Sequence, residues 1–206
     1  MIIQIQASAS QQAEWQAKPV PTGIRFLFNQ PVLPADAYFD LCYETSGPAF
    51  NEIRDQPVFV NAVAATGQSF PENYIRLNAW PGFLARPIWE IAAPAHSSFR
   101  HQADAVLTAM QQPFQWVPDQ PGFLAARVIA TIINEAFYAW GEGVSSRDNI
   151  DTAMKLGTNY PAGPFEWMDK IGAASIVQLL KAMAIADDRY QPAPALLQSL
   201  QASGEV

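Results

Sequence analysis

From Phe123 onward the chain reads as a succession of helices cut apart by glycine and proline, and this punctuation constrains the fold more than any other feature. Phe123–Glu142 carries apolar residues at helical spacing, so that Leu124, Val128, Ile132, Ala136 and Trp140 are expected to form its buried stripe, closed by Gly141 and Gly143. Ser145 or Ser146 caps the next helix, Asp148 lies near its positive end, and Gly157 is expected to finish it. Pro164 opens a short helix at its first position and Gly172 stops it. Ala173–Ala186 follows with Ile176, Leu179, Leu180 and Met183 as its stripe. A loop with Asp187, Asp188, Pro192 and Pro194 then leads to a last helix over Ala195–Ser203. Hairpins this short cannot bury their apolar faces alone. They must pack on each other, on the rest of the chain or on a second subunit.

The first half has a different rhythm. Met1–Ala7 and Gly23–Asn29 read as strands, the second alternating Ile24, Phe26 and Phe28 on one face, with a short helix over Ser10–Lys18 between them, stopped by Pro19 and Pro21. Further strands are expected at Ala37–Tyr43, Val58–Val63, Asn73–Asn78, Ile88–Ala92 and Phe114–Val117. Ser98–Gln112 is helical, with Phe99, Ala103, Val106, Leu107 and Met110 on one side. Strands separated by single helices indicate an α/β sheet. The expected organisation is therefore an α/β domain over 1–118 and an all-α domain over 119–206.

Charge and cysteine content narrow the function. Half the chain is apolar and 15% is charged, the profile of a globular protein. No apolar run approaches the roughly 18 residues of a membrane span, and Met1–Gln6 lacks the basic start of a signal peptide. The formal charge of −7 is spread evenly: six Lys/Arg against nine Asp/Glu in 1–118, six against ten in 119–206. With no basic stripe to neutralise phosphates, nucleic acid is excluded as an expected partner, as is a membrane. Cys42, the one cysteine, lies in an apolar run and is read as a buried, inert thiol fitting a reducing cytoplasm. No metal site is expected.

Four blocks in the helical half, taken together, carry a resemblance. They are Asp119-Gln120-Pro121-Gly122-Phe123; Asn134-Glu135-Ala136 with Glu142-Gly143; Ile150-Asp151-Thr152-Ala153-Met154-Lys155-Leu156-Gly157; and Pro161-Ala162-Gly163-Pro164-Phe165-Glu166 with Asp169 and Gly172. In order and approximate spacing this stretch resembles the helical domain of the 3-hydroxyacyl-CoA dehydrogenases, NAD-dependent oxidoreductases of fatty-acid metabolism. The resemblance implies a reduced Rossmann-like sheet before the helical domain, and a homodimer through the helices. It also implies an acyl-CoA or acyl ligand.

The sheet half resembles the family at fewer points. Ile75-Arg76-Leu77-Asn78-Ala79-Trp80-Pro81 leads to Ile88-Trp89-Glu90, so Asn78 stands where the family has its catalytic His, and Glu90, twelve residues later, where it has the partner Glu. The strand ending in the family's Ser-Asn-Thr-Ser turn reads Val60-Asn61-Ala62-Val63-Ala64, which sets Ala64 at the turn Ser; Glu44 resembles the Glu behind the nicotinamide. The Asn that binds the reacting oxygen is matched by Ala126. The glycine-rich first turn is matched by Ile5-Gln6-Ala7-Ser8-Ala9-Ser10-Gln11, without glycine, and the ribose-binding acid by Asn29 or Gln30.

These replacements matter chemically. Moving a proton on a 3-hydroxyl needs a group that titrates near neutrality, as His does and an amide does not. A pyrophosphate at a helix N-terminus needs bare backbone there, which side chains at Gln6 and Ser8 deny. No cofactor is expected. Glu90 is read as a carboxylate accepting from Asn78, or alternatively as the acid/base of a repurposed acyl-group enzyme. His96 and His101 read as solvated surface residues, and Trp80, Phe83 and Trp89 as core more than acyl pocket. Four functions remain open: a catalytically inactive acyl-CoA-binding or scaffold dimer; an active 3-hydroxyacyl-CoA dehydrogenase using NAD; an enzyme using Glu90; and a supporting subunit of another enzyme.

Overall fold

Strand β1 (Ile2–Gln6) turns Ile3 and Ile5 to one face and Gln4 to the other, the two-residue period of a pleated strand. Helix α1 (Ala9–Gln16), β2 (Arg25–Phe28), β3 (Ala37–Asp40), the single turn α2 (Tyr43–Ser46), β4 (Val58–Asn61) and β5 (Tyr74–Leu77) follow. Then come β6 (Trp89–Ala92), α3 (Arg100–Ala109) and β7 (Phe114–Trp116). The helical part consists of α4 (Ala125–Gly141), α5 (Arg147–Thr158), α6 (Pro164–Ile171), α7 (Ala173–Ala184) and α8 (Pro194–Ser203). This computed structural model describes residues 1–203; the end of the domain expected over 119–206 lies outside the described residues. The chain forms two compact units, Met1–Phe123 and Leu124 onward.

The first unit is a seven-stranded sheet in the order β2-β1-β3-β4-β5-β6-β7. All neighbours are parallel except β5 and β6. Strand order reverses at β1, which makes the crevice beyond the carboxyl ends of β1 and β3 the topological switch point. One face carries Ile3, Ile5, Phe39, Phe59, Ile75 and Ile91 under Trp15 of α1 and Leu107 of α3. The five residues expected on the inner side of α3 are all buried, and Ile24, Phe26 and Phe28 pack on this same core. The opposite face holds Tyr38, Val58, Val60 and Tyr74. By strand alternation it also holds Gln4, Asp40, Arg76, Asn78 and Glu90.

The segment Asp119–Phe123 belongs to the sheet unit, and its residues explain one another. Asp119 accepts from the Gly67 N–H through Oδ2 (2.8 Å) and pairs with Arg76 through Oδ1. Arg76 is fully buried; it donates Nε to Ala62 O (2.9 Å) and Nη2 to Val63 O (3.3 Å), and its guanidinium lies 4.6 Å from the Phe123 ring centre. Gly122, at φ +84°, donates its N–H to Val63 O at 2.8 Å.

In the helical unit the buried face of α4 is Ala126, Ala130, Ile133, Asn134, Ala136 and Phe137. This corrects the expected stripe: Leu124 and Val128 are half exposed, at 50% and 51%, and Trp140 is also exposed. The helix has apolar residues on several sides, so periodicity alone does not fix the inward face; small Ala side chains there let α6, α7 and α8 approach. Asn134 ties in the loop before α8, accepting from Ala193 N–H (2.7 Å) and donating to Gln191 O (2.9 Å). Ser146 caps α5 as one of the two expected serines. Gly157 does not end it; the helix runs to Thr158 and Asn159 adopts the left-handed cap at φ 55°. Pro164 and Gly172 bound α6 as expected, and the apolar stripe of α7 is buried.

Candidate active site

Below the switch point, the β1–α1 turn is closed by side chains. Ser8 caps α1, its Oγ accepting from Gln11 N–H (3.3 Å), while Gln11 Oε1 accepts from Ser8 N–H (3.0 Å): a reciprocal capping box. Asn29, left-handed at φ 50° after β2, accepts from the Ala7 N–H at 2.9 Å. Gln11 is itself buried and spans the crevice, donating Nε2 to Leu41 O (2.7 Å) and to Ala79 O (3.0 Å). Asn61 completes the seam by donating to Leu41 O (3.2 Å) and accepting from Ala79 N–H (2.9 Å). Cys42 is half-buried rather than buried, 3.6 Å from Gln11 Oε1, and burial pushes its thiol up, away from the reactive thiolate.

At and around the strand ends stand the polar residues matched to the family. The β5–β6 register pairs Leu77 with Ile91, so one step further Asn78 stands opposite Glu90. Asn78 is buried; its Oδ1 accepts from Trp80 N–H (3.1 Å), and its Nδ2 has no hydrogen-bond partner among the described residues. The hydrogen bond expected from Asn78 to Glu90 is therefore not formed, because the short turn draws the amide back onto its own backbone. Glu90 lies 3.8 Å from the Arg86 guanidinium. The Trp80 indole N–H is also buried without a partner among the described residues. Glu44 accepts from the Ala64 N–H at 2.7 Å; burial pushes its carboxyl up, against the pull of the Ala64 amide and the Arg76 charge. Ala126 lies in the helical unit, buried in the first turn of α4. His96 and His101 are exposed, and Trp80, Phe83 and Trp89 are buried. Among the described residues no cluster of His, Cys, Asp and Glu is suited to a metal, and no helix is long and apolar enough to cross a membrane.

Three residues of consequence were not singled out from the sequence. Gln11 was detectable, since Ser8 and Gln11 have capping-box spacing ahead of a helix. Arg76 and Asp40 are charges at inward positions of apolar strands, and their burial depends on distant partners. Asp40 is 1% exposed; Oδ2 accepts from Ala49 N–H (2.7 Å), and Oδ1 makes no hydrogen bond of ordinary geometry among the described residues. Burial raises its pKa to about 6, opposed by the Ala49 and Cys42 amides. The folded chain thus holds this proton more tightly than the unfolded chain does. The resulting stabilisation is full below about pH 4, and roughly 2–3 kcal/mol is lost as pH rises through about 6. Asp40→Asn is expected to raise the melting temperature at pH 8 and to lose most of that advantage at pH 4. Melting curves with equal gaps at both values would contradict this.

A parallel-sheet unit with a switch point, joined to a helical unit with these caps, defines the class: a Rossmann-like dehydrogenase architecture with an all-α domain. The sequence profile of the 3-hydroxyacyl-CoA dehydrogenase C-terminal domain matches residues 122–206. The 3-hydroxyadipyl-CoA dehydrogenase of Escherichia coli K12 is 32% identical over 168 residues, covering 80% of this chain and 35% of that protein. The crystal structure of an Escherichia coli K12 3-hydroxybutyryl-CoA dehydrogenase is 32% identical with a TM-score of 0.63, covering 74% of this chain and 33% of that one. The (S)-3-hydroxybutyryl-CoA dehydrogenase of Ralstonia eutropha shares the fold at a TM-score of 0.73 and 17% identity, over 98% of this chain and 94% of that one. Residues 122–206 of the chain belong to the 3-hydroxyacyl-CoA dehydrogenase family as its C-terminal domain. It spans about a third of the length of the curated relatives it matches.

Proposed function

We propose that this chain has left NAD-dependent dehydrogenation and acts as a homodimer that holds acyl-CoA or a similar acyl ligand. The observation that carries the reading is the β1–α1 turn. Pyrophosphate binding at a helix N-terminus depends on backbone N–H groups that await a ligand and on glycines that let it approach. Here the Ala7, Ser8 and Gln11 N–H groups are already paired with Asn29, Gln11 and Ser8 side chains. Gln11 crosses the crevice to Leu41 and Ala79. These residues do not fit a dinucleotide held in that manner.

The position of the family's His supports the same reading. An amide at Asn78 moves no proton near neutral pH, and among the described residues Asn78 Nδ2 and Trp80 Nε1 are buried donors without a hydrogen-bond partner. Binding survives such a replacement where catalysis does not. The half-exposed Leu124 and Val128, at the cap and in the first turn of α4, support a dimer contact through the helical unit. A cytoplasmic setting accords with Cys42 as the chain's one cysteine.

The test is turnover. With the enzyme at high concentration, acetoacetyl-CoA and NADH are expected to give a flat absorbance trace, and sedimentation is expected to give twice the chain mass. Sustained NADH consumption would reinstate an active dehydrogenase.

A further inference from the structure

We propose that the cavity between the end of α1 and the end of α3 binds a small carboxylate with a flat apolar body, its carboxylate on Lys18 and its ring among Trp15, Phe26 and Trp89. The cavity lies wholly within the sheet unit and has a volume of about 320 Å³, which suits a small ligand and is too small for a nucleotide cofactor. It is separate from the switch-point crevice and owes nothing to the proposed acyl function.

The walls are preformed. Trp89 is held in place by its indole N–H, which donates to Leu84 O at 3.0 Å. Trp15 meets the Trp89 ring at 5.4 Å and stands edge-on to Phe26 at 5.5 Å. The three rings pack on one another and each borders the cavity, so they form a single aromatic wall on which a planar apolar group can lie.

The polar end is as specific. Lys18 Nζ lies 4.4 Å from the Trp89 ring centre and donates to Gln112 Oε1 at 2.6 Å. The Gln112 amide cannot turn round, because its Nε2 is committed to Pro113 O (2.8 Å) and Pro87 O (3.3 Å). Lys18 therefore meets a ring face and a neutral oxygen, which hold an ammonium without cancelling its charge. Among the described residues no Asp or Glu lines the cavity. Glu14, one turn back on α1, acts on Lys18 from outside it, with Oε1 occupied by the Gly82 N–H at 2.6 Å. Burial outweighs that acid and brings Lys18 down to about 8, the signature of a cation partly withdrawn from water without a full counter-ion. A ligand carboxylate supplies that counter-ion through a charge-assisted hydrogen bond. In a chain of net charge −7, a cavity whose only charge is positive is a selective place for an anion.

Calorimetry with 2-naphthoate and its neutral isostere 2-naphthamide tests this. The carboxylate is expected to bind the unaltered protein at least about tenfold more tightly than the amide, the worth of one charge-assisted contact. Lys18→Met, which keeps the apolar stem, is expected to erase that preference. Equal affinity for the two compounds, or no heat from either up to about 10 mM, overturns the proposal. So does a preference that persists in Lys18→Met. The first comparison uses the unaltered chain and stands even if the variant does not fold.

Discussion

Asp119→Ala is expected to destabilise the sheet unit by roughly 3–5 kcal/mol, because it strands a charge that cannot reach water. Arg76 is fully buried and its guanidinium pairs with Asp119 Oδ1. The backbone oxygens of Ala62, Val63 and Gln120 accept further hydrogen bonds from it but bring no charge. Burial pushes the arginine towards losing its proton; the Asp119 hydrogen bond and charge, and then the Glu44 charge, hold it protonated. The same substitution frees the Gly67 N–H, to which Asp119 Oδ2 is bonded at 2.8 Å. Replacing both partners, as Arg76→Met with Asp119→Ala, is expected to recover part of the loss, since an apolar pair leaves no charge unpaired. Denaturant titration followed by tryptophan fluorescence reads both. A single Asp119→Ala variant as stable as the parent would show that the ion pair does not hold this segment.

The helical unit has a lock of comparable consequence. Asp151, buried on α5, accepts from the Phe165 N–H (2.8 Å) and the Glu166 N–H (3.2 Å), capping α6 from another helix. Glu166 returns to the Gly163 N–H (2.9 Å) and pairs with Lys155. Gly163 has ordinary backbone angles, φ −75° and ψ 165°, so its glycine is not there for conformational freedom. It is there for space: a Cβ would lie 2.3 Å from Asp151 Cγ and Oδ1. Gly163→Ala must therefore push the carboxylate off the α6 amides, combining overpacking with the loss of a cap, at about 3 kcal/mol. In an Asp151→Ala background the same change is expected to cost much less, because the clash is gone. Strict additivity of the two changes would contradict this arrangement.

These locks show why some of the molecule was legible in advance. The Asp151 and Gly163 blocks stood out as family landmarks because each forms half of one contact, and the Asn134 block because it clasps the loop at Ala193. Glycine and proline marked the helix ends well, except at Gly157, which α5 tolerates inside its last turn. Strand alternation placed Ile24, Phe26 and Phe28 on one face, and all three pack on the core there, since a period of two leaves little choice. The face of α4 was misread because Leu124 and Val128 are as apolar as the residues it buries. The buried charges Asp40 and Arg76 were missed for a different reason. Burial of a charge is decided by a partner far along the chain, 43 residues away for Arg76 and Asp119, and no local pattern announces it.

At the site, the absence of glycine after β1 was visible, but what replaced it was not. The expectation was steric obstruction by Gln6 and Ser8; the structure adds that Gln11 and Asn29 already occupy the amides a phosphate would take. The proposed loss of NAD binding rests on that occupancy. Calorimetric titration with NADH, run beside acetoacetyl-CoA, tests it most directly. NADH is expected to give no saturable heat up to about 1 mM, while the acyl-CoA is expected to bind saturably. NADH binding at micromolar concentration, with a matching rise in melting temperature, would contradict it.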